Sequence, residues 1–122
     1  MSNALNWFEI PVVDFDRAVK FYSTIFDQPL HTEIFFGIPN AFLPFAQGNV
    51  GGSLVHDPKR QPAQNGTLVY LNANGQLDTL ISRVGLAGGT IVLPRTSIGP
   101  VGEFAIFVDC EGNLVGLHSE AA

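Results

Sequence analysis

The order of elements in this chain runs through twice, and that repetition restricts the fold more than any other feature. A strand at about Leu5 to Val13 passes into helical spacing within two residues. Asp14 is placed to cap the helix, and Phe15, Ala18, Val19, Tyr22, Ile25 and Phe26 form one apolar stripe. Pro29 closes it, and extended stretches follow at Leu30 to Phe36, Asn40 to Ala46 and Val50 to His56, separated by Gly37-Ile38-Pro39 and Gln47-Gly48-Asn49. The order is βαβββ. After the polar, proline-bearing stretch 57–65 it returns: a strand at Gly66 to Asn72, a helix capped by Asn74 that carries Leu77, Leu80, Ile81 and Val84 and ends at Gly88-Gly89, then strands at Thr90 to Leu93, Glu103 to Val108 and Leu114 to His118.

The letters repeat as well as the pattern. "GNVGGSLVH" at 48–56 answers "GNLVGLHS" at 112–119, and a shift of 62 residues lays Phe15, Ala18, Val19 and Tyr22 on Leu77, Leu80, Ile81 and Val84. A duplicated supersecondary unit explains both matches. The sequence therefore predicts one α+β domain over 1–122, with repeat 1 at 5–56, a connection at 57–65 and repeat 2 at 66–119. The two βαβββ repeats should form a half-open, concave mixed sheet with helices on the outer face.

Composition narrows the function. At 122 residues, 46% hydrophobic and 14% charged, the chain is of a size and balance to bury a core without staples. A net charge of −5 with only six Lys and Arg leaves no basic stripe for phosphates, so nucleic acid is not an expected partner. The opening MSNALNW lacks a basic segment followed by an apolar one, and no apolar run is long enough to span a bilayer, so the expectation is a cytoplasmic protein with no membrane partner. Cys110 is the only cysteine, in a turn-like DCEGN without an adjacent Lys, Arg or His to activate its thiol. No nucleotide-binding glycine fingerprint, nucleophile elbow or HExxH helix is present.

The paired βαβββ pattern, "IPVVDFDRAVKFYSTIF" in the first half and "GEFAIFVDCEGNLVGL" at the end, resembles the vicinal oxygen chelate superfamily, which includes glyoxalase I, extradiol dioxygenases and bleomycin-resistance proteins. The likeness covers the whole chain and is greatest to the small single-domain branch related to lactoylglutathione lyase. It implies a divalent metal held by one His, Glu or Gln from the first and last strand of each repeat. The first such position, seven residues before the helix-opening Asp, falls on Trp7; its counterpart falls on Thr67, or on Val69 if the alignment slips, and the closing-strand positions on Gly52 and Gly116. None of these ligates a metal well, so no metal and no cofactor is expected. Glycine at two such places is read as opening room for a small organic ligand.

Strand alternation places Trp7, Glu9 and Pro11 on one face and Phe8, Ile10 and Val12 on the other, beneath the helix. The same parity, carried from the glycines, brings His56 and His118 to the face of Glu9. The expected site is thus Trp7, Glu9, Gly52, His56, Thr67, Gly116 and His118. Glu9 is the candidate general base, alternatively a rim residue that is solvated or paired with Arg17 or Arg95. His56 is alternatively exposed, and His118 a packed or capping residue. A displaced metal triad of Glu9, His56 and His118 is a further alternative. "FFGIPNAFLPF" at 35–45 puts apolar residues at a hairpin tip, which points to a homodimer, and GPVG at 99–102 is either a lid or a plain turn.

Overall fold

The computed structural model describes residues 3–121. They form two compact units that divide between Pro62 and Ala63, inside the polar connection. The first unit contains β1 (Trp7–Pro11), α1 (Phe15–Phe26), β2 (His31–Phe35), β3 (Ile38–Phe42) and β4 (Gly51–Val55). The second contains β5 (Tyr70–Asn72), α2 (Leu77–Ala87), β6 (Thr90–Ser97), a 3₁₀ turn (Gly99–Val101), β7 (Glu103–Val108) and β8 (Leu114–Ser119). Both are βαβββ, and each folds into its own four-stranded mixed sheet, ordered β1-β4-β3-β2 and β5-β8-β7-β6. In each sheet the first and last strands pair in parallel and the remaining neighbours antiparallel. A helical crossover is what a parallel pair requires.

In the first unit Asp14 caps α1 as its position suggests, its carboxylate accepting from the Arg17 amide at 3.1 Å, a contact worth about 1 kcal/mol in such settings. Of the stripe, Ala18, Tyr22 and Ile25 are buried and Phe15, Val19 and Phe26 half-buried; Phe21, outside it, is buried too, together with Ile10, Val12, Ala41 and Leu54. Each large side chain removed from water there contributes roughly 1.5–3 kcal/mol. The helix ends at Asp27 in the left-handed conformation, two residues before Pro29. The β2–β3 hairpin turns on Phe36 and Gly37, at φ 51° and 78°, rather than on Gly37-Ile38-Pro39; Ile38 and Pro39 already belong to β3. Two successive positive φ angles suit the right-handed twist of a two-residue hairpin.

In the second unit Leu77, Leu80 and Val84 of α2 are buried with Leu71, Ala73, Ala105, Phe107, Val115 and Leu117. The cap differs from expectation. Gln76 occupies the N-cap without a side-chain hydrogen bond, because the Asn74 Oδ1 accepts from the Glu120 amide at 2.7 Å instead. Gly88 ends α2 at φ 105° as expected. The turn after β7 is fastened by the buried pair Asp109 and Asn113. Asp109 accepts from the Glu111 and Asn113 amides. Asn113 in turn accepts from the Ala63 amide, which ties the end of the connection to this unit.

Candidate functional site

The second unit holds a cavity of about 570 Å³. Its apolar wall is Tyr70 of β5, Phe104 of β7, Ile98 just before the 3₁₀ turn and Val101 at its end; its polar edge is Asn72, Asn74, His118 and Glu120. Register explains why these meet. Tyr70 stands opposite Gly116, Asn72 opposite His118, and Phe104 opposite His118 on the other side. Cross-strand partners share a face, so these residues line the face opposite the buried Leu71 and Leu117. The Tyr70 and Phe104 rings lie 6.0 Å apart in an edge-on arrangement.

The GPVG segment closes one side. Gly99 and Gly102 carry φ of 70° and 115°, and the loop is cinched by bonds from Ile98 N to Gly102 O and from Gly102 N to Gly99 O. His118 Nε2 donates to the Val101 carbonyl at 2.8 Å, so the ring holds the turn against the strand. A side chain at Gly102 would lie 2.1 Å from the Ser119 carbonyl oxygen, the closeness that lets the chain after β8 run beside the loop.

In the first unit the face opposite the helix is aromatic. Trp7 meets Phe42 at 5.8 Å and Phe45 at 5.6 Å between centroids, both edge-on, and Phe35 stacks on Phe42 at 6.1 Å. Glu9 shares this face, as parity requires, and is exposed. Its partner is neither Arg17 nor Arg95. Arg60 Nη2 donates to Glu9 Oε1 at 2.5 Å, from within the stretch read as an exposed connection. Arg95 instead binds Glu103 and Asp78 in the second unit. That hydrogen bond holds the Glu103 carboxyl below its ordinary range and, with the nearby charges of Asp78 and Glu103, raises Arg95 above its own.

The expectations for the remaining residues divide. Gly116 and His118 lie on the open face of their sheet. Gly52 does not lie on the face of Glu9: β1 pairs with β4 so that Phe8 stands opposite Gly52 and Glu9 opposite Ser53. Leu54 and His56 follow Gly52 toward α1, and His56 Nδ1 donates to the Val12 carbonyl at 3.1 Å. Thr67 precedes β5 and is exposed. Ile10 and Leu54 in the first unit correspond to Leu71 and Leu117 in the second, each a buried cross-strand pair. On that correspondence Ser53 answers Gly116, Val115 answers Gly52, and Leu68 answers Trp7, so the glycine-to-glycine match is one residue out of step. Nor do the glycines leave room. A Cβ at Gly52 would stand 2.4 Å from the Phe8 ring, and one at Gly116 would stand 2.3 Å from the Tyr70 ring.

The metal positions implied by the resemblance thus become Trp7, Ser53, Leu68 and Gly116. Indole, alkyl and hydrogen offer no ligand, and the Ser53 hydroxyl is buried and donates to Asn40 Oδ1 at 3.0 Å. These residues do not fit a divalent ion. The displaced triad fails as well, since Glu9 and His56 point to opposite sides of one sheet. Among the described residues no group of three or more His, Cys, Asp and Glu is gathered closely enough to hold a metal. No described helix is long and apolar enough to cross a membrane.

Of the cavity residues, sequence reasoning reads Asn74 only as a helix cap and Val101 only as part of the GPVG turn or lid, and it does not single out Tyr70, Asn72, Ile98, Phe104 and Glu120. Alternation in "TLVYLN" carries the signal for Tyr70 and Asn72, whose neighbour Leu71 is the buried one. The contribution of Glu120 depends on tertiary placement.

The family model described as "Glyoxalase/Bleomycin resistance protein/Dioxygenase superfamily" matches residues 4–117. Among solved structures, a glyoxalase/bleomycin resistance protein from Albidiferax ferrireducens is similar with a TM-score of 0.76 at 16% identity, over 98% of this chain and 100% of that one. The genomically encoded fosfomycin resistance protein of Listeria monocytogenes gives 0.68 at 17% identity, over 100% and 94%. A glyoxalase I variant from Zea mays gives 0.68 at 20% identity over 93% of this chain and 45% of its own. A comparison with curated proteins finds no match.

Proposed function

The chain belongs to the glyoxalase/bleomycin resistance protein/dioxygenase superfamily, and from that membership we propose that it binds a small organic molecule, without a metal, in the cavity of its second unit. The supporting observation is the cavity itself. Its volume of about 570 Å³ falls within the roughly 300–1,000 Å³ usual for ligand sites, and it pairs an apolar wall with a few convergent polar groups. Tyr70 and Phe104 supply aromatic surface for a ligand to cover. Asn72, Asn74, His118 and Glu120 supply direction.

The test is a fragment titration followed through backbone amide resonances. Binding should shift signals at Tyr70, Ile98, Val101 and Phe104, and Tyr70→Ala should weaken it by about tenfold, the loss of much of an aromatic contact. Ligands that bind equally well without the Tyr70 ring, or that shift only the Trp7, Phe42 and Phe45 face, would sink the assignment.

A second reading makes Glu9 a general base on the first unit's aromatic face. Its exposure and its shared face with Trp7 favour this. Arg60 counts against it, because Oε1 already accepts a hydrogen bond, and a substrate proton would have to go to Oε2 or await separation of the pair.

A further inference from the structure

The hydrogen bonds around the cavity fix what its polar edge can still offer. The Asn74 amide donates to Asn72 Oδ1 at 2.9 Å, and the Glu120 amide donates to Asn74 Oδ1 at 2.7 Å. A backbone N–H only donates, so both side-chain oxygens are assigned and each already accepts one bond, and both carboxamide nitrogens are left as donors. The Val101 carbonyl only accepts, so His118 Nε2 carries its proton there, and in the neutral ring Nδ1 is left as an acceptor. Tyr70 adds a hydroxyl that serves either way.

Charge separates these groups. Glu120 is the single charged side chain in the lining, exposed at its edge, and no Lys or Arg lines the cavity. No ion pair engages Glu120 among the described residues. Two other carboxylates of this unit, Glu103 and Asp78, both hold Arg95. The aromatic wall adds to the same preference, since the faces of Tyr70 and Phe104 attract positive charge. A net charge of −5 draws cations toward the whole molecule.

We infer that the cavity selects organic cations: an aromatic or aliphatic body bearing a primary or secondary ammonium, the body against Tyr70 and Phe104 and the ammonium donating to the Glu120 carboxylate and His118 Nδ1. This rests on the cavity being the binding site. An anionic ligand of the same shape would meet an unpaired carboxylate with no compensating cation.

Three probes of one shape test the inference on the full chain: 2-phenylethylammonium, neutral 2-phenylethanol and anionic 3-phenylpropionate, titrated by calorimetry and amide shifts. The ammonium should bind about three- to fivefold more tightly than the alcohol, as expected for one exposed charge pair, with the carboxylate weakest. Added salt should narrow the gap. Glu120→Gln should remove the ammonium's advantage over the alcohol, and an unchanged melting midpoint and amide spectrum outside the cavity report that the variant is folded. If the alcohol binds at Tyr70 and Phe104 but the ammonium binds no better, or if its advantage survives Glu120→Gln, the inference is overturned while the cavity reading stands. If no probe shifts the Tyr70 and Phe104 signals, both fall.

Discussion

Replacing Gly102 by alanine should be among the most damaging small changes to this protein, and the comparison with Gly99 isolates the reason. Gly99 opens one 3₁₀ turn and Gly102 follows it, at positive φ of 70° and 115°, so both lie in the same loop. At Gly99 an added Cβ meets nothing within 4 Å. Gly99→Ala should therefore cost only the left-handed backbone, about 1–2 kcal/mol. At Gly102 the Cβ would stand 2.1 Å from the Ser119 carbonyl oxygen and 3.0 Å from both Glu120 C and Ala121 N. All of these are main-chain atoms, so no side chain can rotate out of the way. The φ, ψ pair of 115°, −139° is also one that alanine scarcely adopts. Strain of about 1–3 kcal/mol adds to a steric cost of about 1–3 kcal/mol. The sum is about 2–6 kcal/mol, relieved only by moving the end of β8 away from the loop. In a domain of this size 1 kcal/mol corresponds to about 4 °C in the melting midpoint. Urea and thermal melts of the two variants should thus differ by about 1–4 kcal/mol in stability or 4–16 °C, with Gly102→Ala the lower and its cavity residues showing altered amide shifts. Midpoints within about 2 °C of each other would refute the argument that close backbone approach, rather than φ alone, demands glycine here.

Glu9→Gln should change stability by less than about 1 kcal/mol, because its pair with Arg60 is solvent-exposed; if Glu9 is the base of an enzymatic reaction, turnover falls at least about tenfold, and unchanged turnover removes it from the chemistry. Arg95→Met should lower stability at neutral pH and lose that effect in acid. The sign follows from Glu103, whose depressed carboxyl contributes stability above its unfolded pKa and loses it as pH falls through its folded one. A pH–stability curve in which the variant's deficit persists or grows toward acid would contradict this. We propose a homodimer in solution, on the grounds that Phe36 at the β2–β3 tip is fully exposed beside exposed Ile34 and Phe35. Light scattering that gives the mass of one chain at micromolar concentration would refute it.

The amphipathic helices and their strand partners were legible because their signals are local. Asp14 announces α1, the stripe from Ala18 to Ile25 names its buried face, and Gly88 ends α2. Register was not legible in the same way. The letter match lays Gly52 on Gly116, one residue out of step with the Ser53 that answers it in the fold, and a one-residue slip exchanges the faces of a strand. Only the pairing of Glu9 with Ser53 reveals the slip. The Arg60 contact spans 51 residues of chain, so nothing near Glu9 in sequence announces it. The capping role given to Asn74 fails for a similar reason, since its oxygen is claimed by a chain segment 46 residues away. Alternation around Leu71 signals the face of Tyr70, but the meeting of Tyr70 with Phe104 comes from the pairing of β5 and β7 on either side of β8, which no local signal carries.

The aromatic rings that lie over glycines carry a lesson for anyone who would redesign this scaffold. Tyr70 covers Gly116, and Phe8 covers Gly52, across the parallel strands of their sheets. Each such couple behaves as one volume shared between two backbone positions, so neither member can be varied alone without a gap or a clash. Exchanged together, however, they form a dial. A smaller residue at 70 accompanied by alanine or serine at 116 would move bulk from the rim of the cavity to its floor while keeping the strands in register. A library that varies the two positions jointly should yield folded proteins with pockets of graded depth, and one that varies either alone should mostly yield casualties.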